Sequence, residues 1–214
     1  PIIYPIVSEL WARKEVAKLK EGIKLMHKYL FLAAIPLILA VATFASPFLR
    51  FFFGQEYISG TIAFQILLIG VLFFIVAAVN HAVISAIGYP KIVTKIIFAA
   101  AAVNAGSNLF LIPRFGIEGA AVATFLSYLL ALILSTIYLK KLMNAEIPLL
   151  LWLKTAFVAI VFTSISLLTQ LLNLPLIAKL PLALTLATIG YIAAAYLLDL
   201  FHPSEIKRYI ALVR

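Results

Sequence analysis

Residues 57–90 read YISGTIAFQILLIGVLFFIVAAVNHAVISAIGYP and carry no Asp, Glu, Lys or Arg. An α-helix rises 1.5 Å per residue, so about 20 apolar residues cross the hydrocarbon layer of a bilayer. A stretch of 34 residues is too long for one straight crossing and too short for two. We therefore predict a single helix of about 25 residues here. Gly60 marks its irregular beginning, and Gly88 and Pro90 mark its end.

Five further uncharged stretches, each long enough to cross a membrane, occur in the chain. Of the 214 residues, 65% are hydrophobic and 12% are charged, whereas a soluble domain has about half and a quarter. A soluble monomer of this size could not hide so many apolar side chains, and that class is excluded. We predict an all-α integral membrane protein with six transmembrane helices. The five further stretches contain 18 to 24 residues and cover 29–49, 96–113, 119–139, 155–178 and 180–198.

The basic residues are distributed unevenly between the two sides of the predicted membrane. Fourteen of the 17 Lys and Arg fall on one side and three on the other. By the positive-inside rule, both ends of the chain are then cytoplasmic, and we expect a multi-pass protein of the cell (plasma) membrane. This distribution explains the net charge of +9 by membrane topology. The expected partner is therefore the lipid bilayer and not nucleic acid.

The first 28 residues differ from the rest of the chain. Residues 1–7 are apolar and begin without Met, so we interpret them as the end of a preceding span and the chain as the C-terminal portion of a longer protein. An amphipathic helix follows, for which an interfacial cytoplasmic position and a solvated linker are both open. We divide the chain into residues 1–28, a four-span core at 29–139, and two extra spans with a basic tail at 140–214. The apolar face of the amphipathic helix carries Val16, Leu19, Ile23, Met26 and Leu30.

Residues typical of catalytic chemistry are missing from the sequence. It has no cysteine, no HExxH, GxSxG or P-loop motif, and its three histidines lie far apart. The interiors of the predicted spans contain no Asp, Glu, Lys or Arg. We therefore expect no enzyme activity, no metal site and no cofactor.

A few polar side chains interrupt the apolar spans, and polar groups within a membrane face protein or a cavity. Asn80 and His81 are adjacent in the second span, and Asn104 and Asn108 lie one turn apart in the third. Gln170 lies at the end of a polar face in the fifth span. These five are our candidates for a substrate cavity, where amides could bind sugar hydroxyls. Hydrogen bonds between helices are the alternative for each of them.

Other residues predict where a helix bends, where the chain turns and which helix face packs closely. Pro36 removes a backbone hydrogen bond inside the first span and should bend that helix. Pro113 and Gly116 favour a tight turn between the third and fourth spans. Small residues then recur every four positions, which lets a neighbouring backbone approach closely. They are Gly119, Ala123 and Ser127.

Residues 104–128 read NAGSNLFLIPRFGIEGAAVATFLSY. This stretch resembles the signature of polysaccharide and lipid-linked oligosaccharide flippases, a family of the multidrug/oligosaccharidyl-lipid/polysaccharide exporter superfamily. Supporting similarities are PIVSELWA at 5–12, Pro36, and FGQEY at 53–57. The resemblance extends to about residue 138, and the last two spans match in number and hydropathy alone.

The resemblance implies a complete protein of twelve or fourteen spans in two lobes, of which this chain supplies the C-terminal lobe. Such proteins flip polyprenyl-pyrophosphate-linked glycans across the membrane by alternating access, so the partners would be that lipid and the missing N-terminal lobe. Two alternatives stay open. A cation-coupled multidrug exporter of the same superfamily would need an acidic residue within a span. A membrane glycan polymerase or ligase would need a large external loop with catalytic residues.

Overall fold

The computed structural model describes residues 3–144 and 149–200, and within these ranges it contains helices and turns but no strand. The predicted all-α architecture is confirmed. The helices are α1 (Ile3–Ala12), α2 (Val16–Thr43), α3 (Ala45–Phe52), a short 3₁₀ helix (Gln55–Gly60), α4 (Thr61–Ala86), α5 (Pro90–Met143), α6 (Leu149–Gln170) and α7 (Leu176–Leu197).

The long uncharged stretch folds as one helix, as predicted. Helix α4 has 26 residues, and Gly60 precedes its first residue. After α4, Gly88 adopts a φ of 99°, which glycine reaches without the steric cost of a Cβ. Pro90 then begins α5, where its missing N–H removes no helical hydrogen bond.

Helix α5 spans 54 residues, but it is a hairpin of two antiparallel arms. Gly116 has non-helical angles (φ 56°, ψ −129°), as expected for the predicted turn. Asn104 Nδ2 lies 3.3 Å from Thr124 Oγ1 across the two arms. In a straight helix, residues 20 positions apart would be separated by about 30 Å. The arms therefore run side by side along residues 90–115 and 117–143.

Five helices among the described residues are long and apolar enough to cross a membrane. Counting the two arms of α5 separately gives six segments of that length. The turn between the arms is tight because a Cβ at Gly119 would overlap the backbone carbonyl of Leu111. A glycine at this position lets the second arm begin directly against the first.

Helix α2 differs from the sequence-based expectation. It runs without interruption from Val16 through Pro36 to Thr43, so the boundary that we placed at residue 28 falls inside one continuous helix. The chain breaks instead at Phe44, before α3. The apolar face predicted for the cytoplasmic segment is turned towards protein, because Leu19 and Ile23 belong to a buried cluster with residues of α4.

Two buried clusters hold the helices together, and α2 contributes to both. The first joins α1, α2, α4 and α5 through residues such as Val7, Ile23 and Val83. The second joins α2 to the α6–α7 hairpin through Ile35, Phe162 and other apolar residues. Helix α2 thus connects the four-span core to the last two helices.

The small residues of the second α5 arm form one buried line. Ala123 is completely inaccessible to solvent. Because a Cβ at Gly70 of α4 would lie 3.4 Å from the Phe125 backbone, these two helices pack at close range. The small residues that share this burial are Gly119, Ala123, Ser127, Ala131 and Ser135.

Candidate functional site

A chain of polar groups lies between the two arms of α5. The Nδ2 atom of Asn108 donates to Oδ1 of Asn104 at 3.0 Å, and Nδ2 of Asn104 donates to Oγ1 of Thr124 at 3.3 Å. The Thr124 hydroxyl donates in turn to the carbonyl of Ala120 at 3.0 Å. Oδ1 of Asn108 is buried and makes no hydrogen bond. The chain therefore ends in an acceptor that has no donor and is closed off from the surface in this conformation.

The spacing of Asn104 and Asn108 indicated that they share a face, but it did not identify Thr124 as their partner. Thr124 belongs to the other arm, 20 residues from Asn104. A threonine in a span can satisfy its hydroxyl on the preceding turn, so its type alone does not demand a partner. The turn at Gly116 was the signal that could have placed the two arms together.

Asn80 forms a second polar group, separate from the first. It is fully buried, and Nδ2 donates to the hydroxyls of Ser135 (3.1 Å) and Thr136 (3.2 Å) on the second arm of α5. Ser135 lies eleven residues beyond Thr124 on that arm, a separation of roughly 16 Å along a helix. Asn80 and Asn104, both candidates for the substrate cavity, therefore lie at different depths.

Two histidines lie near Asn80. His81 is half-buried, and its Nε2 atom makes no hydrogen bond. His27 of α2 is 5% exposed, and its Nε2 atom makes no hydrogen bond. His27 was not among the predicted site residues, although it follows Ile23 by one turn on the apolar face of α2. That position was the signal that the side chain would be buried.

Gln170, the fifth predicted cavity residue, caps the end of α2. Its Nε2 atom donates to the carbonyl of Thr43 at 3.1 Å. Gln65 of α4 donates in the same way to the carbonyl of Ala42 at 2.9 Å. The last carbonyls of a helix have no partner in their own helix, and within a membrane they need donors from elsewhere. Both glutamines supply such donors.

Pro36 leaves another carbonyl of α2 without a helical hydrogen-bond donor. A proline has no N–H, so the carbonyl of Leu32, four residues earlier, loses its helical partner. The hydroxyl of Tyr191 on α7 donates to this carbonyl at 3.0 Å. Tyr191 itself is 5% exposed, and its ring lies edge-on to that of Phe162, with the two ring centroids 6.2 Å apart. The Tyr191 hydroxyl thereby ties the last hairpin to α2.

An apolar crevice of about 620 Å³ lies between α2, α4, the second arm of α5, and α6. Ile35, Leu72, Ile133 and Ala159 each contribute to its wall from a different helix. The five predicted cavity residues do not line it. The crevice is therefore separate from the Asn104 group, but it borders the Asn80 group at Thr136.

Charged side chains are found near the ends of the helices and along the first half of α2, where Lys28 is buried. Arg50 and Arg114 are exposed at the side with few basic residues. At the other side, the hydrogen bond from Lys18 lowers the pKa of the Glu15 carboxyl below its usual value, so this pair remains ionic at neutral pH. Within residues 3–144 and 149–200, no cluster of His, Asp and Glu could hold a metal ion.

Comparison with known proteins supports the membrane assignment. An uncharacterized membrane protein of Methanocaldococcus jannaschii is 31% identical to the chain over 159 residues. The chain is an integral membrane protein. The matched residues are 74% of this chain and 31% of the relative, so the chain spans less than a third of that protein's length. No family model matches the sequence.

Proposed function

We propose that this chain is part of a transporter that flips lipid-linked oligosaccharide or polysaccharide precursors across the cell membrane by alternating access. The observation that carries the proposal is the folding of residues 104–128, the stretch that resembles the flippase signature. These residues form the hairpin of α5, and the polar members Asn104, Asn108 and Thr124 meet between its arms.

The chemistry of this polar group suits the glycan part of such a substrate. Amides and hydroxyls both donate and accept hydrogen bonds, as sugar hydroxyls do. The unpaired Oδ1 of Asn108 is buried in this conformation, and the helix movements of alternating access would expose it as an acceptor. A neutral site of this kind would bind sugar hydroxyls, and a pyrophosphate would be held by cationic groups of the N-terminal lobe that the resemblance implies.

The topology proposed with this function places both ends of the chain in the cytoplasm. The turn at Gly116 would then face the outside, and the polar group lies eight to twelve residues before that turn on the first arm, roughly 12 to 18 Å along the helix. That depth is within the membrane. Asn104 and Asn108 would meet the substrate as it moves towards the outer surface.

The experiment uses the complete protein reconstituted into liposomes with a fluorescent polyprenyl-pyrophosphate oligosaccharide. An enzyme that trims the glycan from outside measures how fast the substrate changes leaflet. We expect flipping above protein-free vesicles, and we expect Asn108→Ala to reduce the rate per folded molecule. Asn173→Ala, which removes an exposed amide from a turn, is the matched control and should leave the rate unchanged.

Two results would contradict the proposal. The first is the absence of flipping by a protein that is folded and correctly inserted. The second is a protein that expels a cationic dye in exchange for protons or sodium and leaves the oligosaccharide in place, which would favour the multidrug exporter.

A further inference from the structure

The apolar crevice separates two parts of the molecule that would otherwise pack together. Helix α6 packs against α2 and α7, and α5 packs against α4, but contacts between α5 and α6 are sparse. The space between them is the crevice of about 620 Å³. This volume falls within the roughly 300–1,000 Å³ of ordinary ligand sites.

The wall of the crevice is formed mainly by aliphatic and aromatic side chains. Thr136 accepts a hydrogen bond from Asn80, and Thr155 donates to backbone carbonyls of its own helix. The indole N–H of Trp152 is buried and has no hydrogen-bond partner. The two wall hydroxyls are therefore engaged and the rest of the wall is largely apolar, so an apolar chain fits the crevice, with any polar group of the occupant at the Trp152 end.

Two lysines lie beyond one end of the crevice, which we define as its mouth. Lys140 and Lys141 are exposed and follow Thr136 and Ile137 of the wall by four residues each. In a helix this spacing places both lysines one turn beyond the crevice on its own face. Trp152 lines the same end, near the beginning of α6, as expected for an aromatic side chain at a membrane interface.

We propose that the crevice binds one apolar chain of a bilayer phospholipid with an acidic head group, taken from the leaflet at the Lys140 end. The chain fills the space between α5 and α6, and the head group lies against the two lysines. The lipid then acts as a fixed part of the structure that joins the α6–α7 hairpin to the core.

The first test fills the crevice. The complete protein is incubated with mixed micelles of phosphatidylglycerol and detergent, transferred to detergent alone, and analysed by native mass spectrometry for retained lipid. We expect retention of one phosphatidylglycerol molecule. Ala156→Phe places a ring in the crevice and should abolish retention, whereas Ala193→Phe, on an exposed position of α7 outside the crevice, should not.

The second test removes the charges at the mouth. A basic residue near an anionic lipid surface contributes about 1 kcal/mol, so the pair Lys140→Gln and Lys141→Gln should weaken phosphatidylglycerol binding roughly 30-fold. The control pair Lys91→Gln and Lys95→Gln removes two exposed lysines from the first arm of α5 and should have little effect. Circular dichroism checks that each variant is folded.

Three results would overturn the proposal. One is equal retention of phosphatidylglycerol by folded Ala156→Phe protein. Another is equal retention of phosphatidylcholine and phosphatidylglycerol, which would show that charge has no part in binding. The third is selective retention of a polyprenyl phosphate in place of phosphatidylglycerol, which would assign the crevice to a transported substrate.

Discussion

Replacing Tyr191 by Phe should destabilise the protein in a way that depends on Pro36. In the native protein, the Tyr191 hydroxyl donates to the Leu32 carbonyl that Pro36 leaves without a helical partner. Tyr191→Phe keeps the ring and its contact with Phe162 but removes the donor. No water replaces it in the hydrocarbon layer, so the carbonyl stays unsatisfied.

Two kinds of measured energy indicate how much Tyr191→Phe should lower the free energy of unfolding. Hydrogen bonds between membrane helices average about 0.6 kcal/mol and reach about 1.7. Leaving a buried acceptor unsatisfied costs about 1–3 kcal/mol. Because the Leu32 carbonyl loses both its helical and its tertiary donor, we expect Tyr191→Phe to lower the free energy of unfolding by about 1–2 kcal/mol.

A double-mutant cycle combines Tyr191→Phe with a second substitution, Pro36→Ala, which restores the missing donor. Pro36→Ala supplies an N–H to the Leu32 carbonyl within α2, so the Tyr191 hydroxyl is no longer required. In that background, Tyr191→Phe should cost less than about 0.5 kcal/mol, which gives a coupling energy near 1 kcal/mol. Tyr196→Phe, at a position on α7 that is 73% exposed, is the matched control and should be neutral.

The assay is reversible unfolding in mixed micelles with increasing sodium dodecyl sulfate, followed by circular dichroism. All four members of the cycle are measured under the same conditions. An equal cost of Tyr191→Phe with and without Pro36 would refute the reasoning, because the hydroxyl would then act independently of the proline.

Two further predictions concern packing and topology. Ala123→Leu forces a larger side chain into a position with no accessible surface and should lower the free energy of unfolding by about 1–3 kcal/mol, measured in the same assay; an equally stable variant would show that the site can expand. Because the chain has no cysteine, single cysteines can be labelled cleanly. One at Phe115 should react with an impermeant maleimide outside intact cells and one at Lys91 should not, and the reverse pattern would invert the proposed orientation.

The spans could be predicted because the thickness of the bilayer fixes their length. An uncharged stretch such as residues 57–90 has to cross the hydrocarbon layer as a helix, since backbone groups find no other partners there. The turn at Gly116 was also predictable, because Pro113 and Gly116 together disfavour a continuous helix. Both features depend on local sequence.

The side-chain pairings could not be predicted in the same way. In a lipid environment the outer and inner faces of a helix are both apolar, so hydropathy alone does not define which face is buried, although the small residues of the second α5 arm did indicate its buried line. The meeting of Asn104 with Thr124, and of Asn80 with Ser135, depends on how deeply each helix lies and how it is rotated. The continuity of α2 was missed for a related reason. Its lysines left an interfacial segment and a solvated linker both open, and its apolar face packs on protein.

Helix α2 shows how polar side chains can hold membrane helices together at defined points. Three of its carbonyls receive side-chain donors from other helices: that of Leu32, which Pro36 deprives of its helical donor, and those of Ala42 and Thr43 at the end of the helix. Each receives a donor from a different helix, and a misplaced neighbour would leave that carbonyl unsatisfied in hydrocarbon. Close packing, as at Gly70 and Ala123, restricts how the helices can slide, and the hydrogen bonds add directional contacts at fixed depths. The donors are Gln65 of α4, Gln170 of α6 and Tyr191 of α7.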